Sequence, residues 1–158
     1  MSRTKTVGDE LGRTTPFRTV AQEAFVALLC TADRVRRRAS AVVEEEGITL
    51  QQYNVLRILR GAGDEGLPTL SIADRMIERT PGVTRLIDRL CAKRLVRRQR
   101  LTDDRRRVQC RITARGLELL ERLDAPMEAH DERALAPLAK KDLRALIELL
   151  DRVRSRAG

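Results

Sequence analysis

Apolar residues recur every three or four positions along most of this chain, which is the spacing of one face of an α-helix. From residue 17 onwards this spacing predicts a single helix of roughly seven turns that ends at Gly47, a residue suited to the turn after a helix. A helix of this length overhangs a small domain, so part of its apolar stripe has no partner within the chain. We expect a second copy of the chain to cover that stripe.

Two shorter helices are predicted to follow. The first begins at Thr49, where Gln52 completes a capping box. Its inner face consists of Tyr53, Leu56 and Leu59. The second opens at Thr69, directly after Pro68 and three nearby glycines. Its inward residues are expected to be Leu70, Ala73 and Ile77.

A third helix is predicted to begin with Thr80 as its N-cap and Pro81 in its first turn. Its buried stripe consists of Val83, Leu86, Ile87 and Leu90. Its opposite face carries Gly82, Thr84, Arg85, Asp88 and Arg89. Such a polar face, with small residues at the helix start, is suited to enter a DNA major groove.

The pattern changes from helical to alternating spacing after this helix. Residues 95–101 and 107–113 are predicted to form the two strands of a hairpin, with a polar tip at residues 102–104. In the second strand, apolar Val108, Cys110 and Ile112 alternate with polar residues. A cationic hairpin beside a groove-reading helix predicts a winged helix-turn-helix.

Two further helices close the chain. Thr113 is expected to cap the first, and Pro126 is expected to kink or split it. The inward residues of this helix are Leu117, Leu120 and Leu123. The apolar stripe of the last helix consists of Leu143, Leu146, Ile147, Leu150 and Val153.

The predicted fold class is therefore mainly α, a winged helix-turn-helix with N- and C-terminal dimerisation helices. The predicted segments are a flexible N-terminus (1–15), a dimerisation helix (16–47), a winged helix-turn-helix DNA-binding domain (48–113) and C-terminal dimerisation helices (114–158).

The charge of the chain indicates a polyanionic partner. Among 158 residues, 32 are Lys or Arg and 23 are Asp or Glu, which gives a net charge of +9. Residues 93–115 alone hold ten basic residues against Asp103 and Asp104. Nucleic acid and an anionic membrane surface both attract such a patch. Because the basic residues alternate with apolar ones as in a strand, a structured binding surface is favoured over a solvated tail.

The sequence lacks the residues that other classes of function require. The chain shows no stretch with the length and character of a signal peptide or a membrane span. Its three cysteines have no paired spacing and its one histidine stands alone, so no metal site is indicated. Neither a catalytic triad nor a phosphate-binding loop is present. We expect a cytoplasmic protein without a cofactor, a metal or an enzymatic activity.

The residues expected to contact double-stranded DNA lie in two groups. In the predicted recognition helix they are Thr80, Pro81, Gly82, Thr84, Arg85 and Arg89. Arg85 is suited to a bidentate contact with guanine and Arg89 to a phosphate, whereas Thr80 and Pro81 also fit the plain roles of a helix cap and a helix starter. In the hairpin they are Arg98, Asp104, Arg105, Arg106 and Arg107. Here Asp104 is expected to hold one guanidinium in place, and an arginine at the tip fits a narrow minor groove.

These residues resemble the MarR family of bacterial winged-helix regulators. The family's wing signature, Asp-x-Arg, five residues, an aliphatic residue, Thr, two residues and Gly, is matched by Asp104, Arg106, Ile112, Thr113 and Gly116. The stretches TPGVTRLIDRLCAKRLV and GITLQQYNVLRIL also resemble family patterns, and order and length agree over about 140 residues. One departure is Arg94, which stands where the family usually has Gly. Either the turn differs here, or the extra charge contributes to phosphate binding.

The resemblance implies a symmetric homodimer whose first helix and last two helices interlock. It implies recognition helices in successive major grooves and Arg106 in a minor groove. The implied function is sequence-specific repression of transcription at a pseudo-palindromic operator. It also implies release by a small lipophilic or phenolic effector held between the dimerisation helices and the winged module. Tyr53 is then either a core residue or part of that cleft.

Two alternative functions remain open. A thiol-based oxidant sensor needs an exposed cysteine with a lowered pKa. Cys110 fits the core, Cys30 lies in mid-helix with ambiguous exposure, and Cys91 lies near Lys93 and Arg94, where partial thiolate character is expected. A non-specific architectural DNA-binding protein is less favoured, because the hairpin tip carries no apolar wedge. We expect a small molecule, rather than oxidation, to be the main switch.

Overall fold

The computed structural model describes residues 5–78, 82–100 and 108–156. Within these ranges the helices are α1 Val7–Glu10, α2 Val20–Glu44, α3 Leu50–Ala62, α4 Thr69–Arg75, α5 Val83–Ala92, α6 Ala114–Leu135 and α7 Lys140–Arg156. The strands are β1 Leu67–Pro68, β2 Val96–Arg100 and β3 Val108–Ile112. The predicted mainly helical winged fold is confirmed. The chain divides into two compact units, residues 1–41 and 42–158.

The first unit contains one helix that the apolar pattern did not predict. Within the segment expected to be flexible, α1 is capped by Thr6, whose hydroxyl accepts a hydrogen bond from the Asp9 amide at 3.2 Å. Glu10 pairs with Arg34 at 2.8 Å. A helix of four residues has no apolar period to detect, so only its capping residues signal it. The long helix α2 begins at Val20 and ends at Glu44, a few residues inside the predicted limits.

The uncovered apolar stripe predicted for α2 is present in the single chain. Phe25, Leu28 and Leu29 are 62%, 41% and 53% exposed.

The second unit begins with the capping box at the start of α3, which is confirmed. The Thr49 hydroxyl accepts from the Gln52 amide at 3.2 Å, and the Gln52 side-chain oxygen accepts from the Thr49 amide at 3.1 Å. Tyr53, Leu56 and Leu59 are buried as predicted, which makes Tyr53 a core residue. Arg60 on α3 pairs with Asp124 on α6 through two contacts of 2.8 and 2.9 Å.

The inward face predicted for α4 is wrong. Leu70 and Ile77 are 79% and 87% exposed, while Ile72 and Met76 are buried. Both pairs are apolar and both follow helical spacing, so the sequence offers two overlapping stripes. Packing of the short helix against α3 and α5 selects the stripe that contains Ile72.

The sheet is antiparallel with the strand order β1-β3-β2. Val96 lies opposite Ile112, and Arg98 lies opposite Cys110. Both predicted strands are confirmed over the residues that the structure describes, Val96–Arg100 and Val108–Ile112. The two-residue strand β1 was not predicted. It pairs Leu67 with Cys110.

The next helix, α6, begins at the Thr113 cap as predicted, with the hydroxyl accepting from the Gly116 amide at 3.1 Å. Leu120 and Leu123 are buried, but Leu117 is 37% exposed and Leu119 takes its place. Pro126 does not split the helix, which runs without a break to Leu135. A proline removes one backbone hydrogen bond, and the buried residues on both sides of it hold the helix together.

The stripe predicted for α7 is half-exposed in the single chain. Ile147 and Val153 are 58% and 57% exposed. In the described ranges, no helix combines the length and the apolar character needed to cross a bilayer.

Candidate nucleic-acid interface

The helix α5 separates its residues by polarity as predicted. Val83, Leu86, Ile87 and Leu90 are all buried. The opposite face, exposed to solvent, consists of Gly82, Thr84, Arg85, Asp88 and Arg89. Among the described residues, Arg85 and Arg89 have no ion-pair partner, so both guanidinium groups are available to an external anion.

The start of α5 differs from the prediction. The helix begins at Val83 with Gly82 as its N-cap, so Thr80 is not the capping residue. Gly82 has φ 113°, a non-helical conformation that favours glycine, so α5 begins at the next residue. Thr80 and Pro81 themselves lie outside the described residues. A Cβ added at Gly82 would have no atom within 4 Å, so the backbone is open to close approach there.

The middle of α5 is tied to the first strand of the wing by one ion pair. An Arg98 Nη lies 2.6 Å from an Asp88 carboxylate oxygen. This hydrogen bond raises the pKa of Arg98, against the opposing effect of burial. The sequence predicted Arg98 as a DNA contact, whereas the structure shows its guanidinium engaged by a residue of the recognition helix.

The wing strands place like charges opposite each other. Arg97 on β2 is the direct neighbour of Arg111 on β3, and Gln99 is the neighbour of Gln109. Arg111 Nε is buried without a hydrogen-bond partner in the described part of the chain. Like charges that face each other across a strand pair are destabilising. The same arginines give this ribbon a positive surface potential, which attracts an anionic partner. The predicted tip residues Asp104, Arg105, Arg106 and Arg107 lie outside the described residues.

The turn between α5 and β2 keeps a left-handed residue at position 94. Arg94 has φ 59°. Its amide donates to the Cys91 carbonyl at 2.9 Å, and the Leu95 amide donates to the Leu90 carbonyl at 3.0 Å. These two bonds form a Schellman turn, in which the left-handed position is normally occupied by glycine. The turn is therefore of the ordinary kind, and only its residue is unusual.

A cavity of about 220 Å³ lies behind this turn. Its floor is apolar, since Ile48, Leu95 and Leu119 are buried. Its rim carries Lys93, Arg115 and Arg122, with Arg122 paired to Glu46 at 2.9 Å. Lys93 donates to the Gly47 carbonyl. The cavity thus combines an apolar floor with a cationic rim.

Comparisons with known proteins show which family the chain belongs to. The model of the MarR family matches residues 48–108, which include α3 to β2. A MarR transcription factor of known structure from Planctomyces limnophilus is 40% identical, covers 86% of this chain and 98% of its own, and superposes with a TM-score of 0.66. The chain belongs to the MarR family. It is therefore a DNA-binding transcriptional regulator, since the members of this family are transcription factors rather than enzymes.

More distant structures share the MarR fold. The Staphylococcus aureus MepR–DNA complex is 23% identical, with 89% of this chain and 98% of that chain covered and a TM-score of 0.76. PcaV from Streptomyces coelicolor, in complex with its natural ligand, is 24% identical, with 91% and 100% covered and a TM-score of 0.71.

The MarR wing signature has a structural basis at its C-terminal end. Thr113 caps α6 and also donates from its hydroxyl to the Arg94 carbonyl at 2.8 Å. A Cβ added at Gly116 would lie 2.5 Å from the Leu95 carbonyl oxygen, so only glycine fits there. These two residues therefore fix the base of the wing against the turn that follows the recognition helix.

One cysteine of this MarR-family chain is less acidic than the sequence suggested. The partial thiolate character expected for Cys91 is wrong, because burial raises the pKa of its thiol. Cys110 is fully buried, as predicted, and Cys30 is half-buried. Within the described ranges, no group of three or more His, Cys, Asp or Glu side chains is placed to hold a metal ion.

The Asp88–Arg98 pair is a feature of the interface that sequence reasoning missed. Asp88 was placed correctly on the exposed face and Arg98 correctly on a strand. Their contact depends on the angle between helix and sheet, which spacing along the chain does not reveal. Opposite charges on the recognition helix and on the adjacent strand were the available signal.

Proposed function

We propose that the chain represses transcription as a homodimer bound to a pseudo-palindromic operator, and that a small lipophilic or phenolic molecule releases it. The observation that carries this proposal is the exposed face of α5, on which Arg85 and Arg89 are unpaired among the described residues, beside a cationic wing. A helix with such a face can read bases in a major groove while the wing follows the adjacent backbone.

Except for Arg98, whose guanidinium is paired with Asp88, each expected contact keeps a role in this proposal. Gly82 and Thr84 admit close approach at the start of α5, Arg85 reads a guanine, and Arg89 binds a phosphate. Thr80 and Pro81 precede this helix start and join the same contact. At the wing, Asp104 orients the arginines at positions 105–107, and Arg106 enters a narrow minor groove.

The homodimer is supported by apolar surface that a single chain leaves uncovered. On α2 this surface includes Phe25, and on α7 it includes Ile147 and Val153, each more than half exposed. Monomeric proteins rarely leave such stripes in contact with water. We assign dimerisation to residues 16–47 and 114–158 and DNA binding to residues 48–113. Because a bacterial regulator works where the chromosome is, we place it in the cytoplasm.

Release by a small molecule is supported by the similarity to PcaV, which was solved with its natural ligand. The cavity behind the Arg94 turn, with its apolar floor and cationic rim, suits a small aromatic anion. A thermal-shift screen of phenols and aryl carboxylates, followed by operator release, identifies such an effector. A screen in which no compound both stabilises the protein and releases the operator contradicts this part of the proposal.

The Arg85 side chain gives the sharpest test of base reading. Arg85→Ala is expected to weaken operator binding by about 1–3 kcal/mol and to relax the preference at one base pair per half-site. The matched control is Arg133→Ala, which removes the same charge near the C-terminal end of α6, outside the basic stretch 93–115 and the cavity rim. Binding of both variants to a library of operator variants measures the preference. If Arg85→Ala keeps the wild-type preference, the base-reading assignment is wrong.

A further inference from the structure

The ion pair between Asp88 and Arg98 places an acidic residue inside a surface that has to meet phosphates. Asp88 lies on the exposed face of α5, and its side chain is 52% exposed. An unneutralised carboxylate at a DNA interface repels the phosphate backbone and weakens association. The carboxylate is instead held at 2.6 Å by Arg98.

The position of Arg98 on β2 explains how it reaches the recognition helix. Arg98 lies opposite Cys110, which is fully buried, and two residues along from buried Val96. Alternation along a strand therefore directs Arg98 towards the core side of the sheet, where α5 packs. Its guanidinium emerges beside Asp88 at the edge of that core, with its side chain 36% exposed.

The recognition helix itself also offers a cation to Asp88. Arg85 precedes Asp88 by three residues, a spacing at which side chains on a helix meet and form ion pairs. Such a pair would turn the Arg85 guanidinium away from a base edge. In the described residues Asp88 is bound to Arg98, and Arg85 is left unpaired.

We propose that Arg98 is a positioning residue that acts through Asp88, keeping this carboxylate away from both Arg85 and the DNA phosphates and so setting the base preference of the recognition helix. This inference rests on the proposed function. It replaces the direct DNA contact predicted for Arg98 from the sequence.

A double-mutant cycle tests the dependence on Asp88. The ligand is the duplex that the wild-type protein selects from a random library. Arg98→Gln removes the charge and keeps a polar, hydrogen-bonding side chain. We expect it to weaken binding about tenfold in the wild-type background, and less than about threefold in the Asp88→Asn background, where no carboxylate needs to be neutralised.

Base preference is the readout that a merely structural role would not change. Arg98→Gln is expected to relax the preference at the base pair that Arg85→Ala relaxes, whereas Arg98→Lys, which keeps a charge, retains it. The matched control is Arg97→Gln, on the neighbouring position of β2 and the opposite face. Its effect should be the same in both backgrounds.

Several results would overturn the inference. One such result is that Arg98→Gln weakens DNA binding by the same factor in both backgrounds and, in the Asp88→Asn background, also makes the plot of log affinity against log salt concentration shallower by about one. Arg98 would then contact a phosphate directly. The inference is also contradicted if Arg98→Gln is folded, as shown by cooperative unfolding, and binds the duplex as tightly as the wild type. If the wild type selects no sequence at all, the proposed function fails instead.

Discussion

Arg94 shows how a single residue can depart from its family without changing the local structure. The Schellman turn at this position forms with φ 59°, although a side chain is strained in that conformation. The strain at such a site is about 1 kcal/mol relative to glycine.

We expect Arg94→Gly to raise the free energy of unfolding by about 1 kcal/mol, because it removes this strain. The control is Lys93→Gly at the adjacent residue, which has φ −78° and should lose stability instead. Denaturant unfolding measures both. If the Arg94 charge also binds a phosphate, Arg94→Gly weakens operator binding while it stabilises the fold. If Arg94→Gly is less stable than the wild type, the claim that the backbone at position 94 is strained is wrong.

The cysteines predict a regulator that tolerates oxidants. Because burial raises the pKa of Cys91, its thiol holds less of the reactive thiolate near neutral pH. Cys110 is fully buried. Operator binding should therefore be the same before and after mild peroxide treatment. The Cys30→Ser, Cys91→Ser double variant serves as the control. Reversible release of the wild type alone would make the chain a thiol-based sensor.

At the residue scale, the exposed face of α5 was predictable, but the ion-pair partners of its residues were not. Helical spacing placed Arg85 and Arg89 on the exposed face of α5, and the structure agrees. The same reasoning predicted that Arg98 contacts DNA and missed its pairing with Asp88, because that partner lies on another element. The start of α5 at Val83 also escaped prediction, because Thr80 and Pro81 have the composition of a helix start, whereas Gly82 is the observed N-cap.

Among the structural elements, the base of the wing depends on a close contact between α6 and the turn after α5. Gly116 packs its backbone against the Leu95 carbonyl, where a Cβ would lie 2.5 Å from the oxygen and 2.7 Å from a side-chain carbon of Ile112. Backbone atoms cannot yield as a flexible side chain does, so the contact excludes every other residue.

Gly116→Ala is expected to lower the free energy of unfolding by about 1–3 kcal/mol, as overpacking does. Gly61→Ala is the matched control. Gly61 lies in α3 with no atom within 4 Å of an added Cβ, so this change should stabilise the chain by about 0.5–1 kcal/mol. Urea unfolding curves of the two variants compare them directly. Equal effects of the two substitutions would contradict the close contact at Gly116.

Long elements with a clear period were predictable, and short ones were not. The helices α2, α3 and α5 and the strands β2 and β3 follow from their apolar spacing. The helix α1 and the strand β1 have four and two residues, too few to show a period. The inward face of α4 was mistaken because two apolar stripes compete on it. Tertiary packing determines which of the two stripes is buried, and the spacing of apolar residues along the sequence does not show this.

At the scale of the whole molecule, charge and apolar surface point to different partners. The net charge of +9 is concentrated on the winged module, where it attracts DNA. The uncovered apolar stripes lie on α2 and α7, where a second chain can bury them. A homodimer satisfies both demands, since it covers the stripes and presents two recognition helices to one duplex.

Selection from a random duplex library at about 0.15 M salt tests this central claim most directly, with the mass of the selected complex measured by light scattering. We predict a two-fold symmetric sequence whose half-site centres are about 34–36 Å apart, bound by two chains per duplex. A single chain per duplex, or a pool without an enriched sequence, would contradict the account.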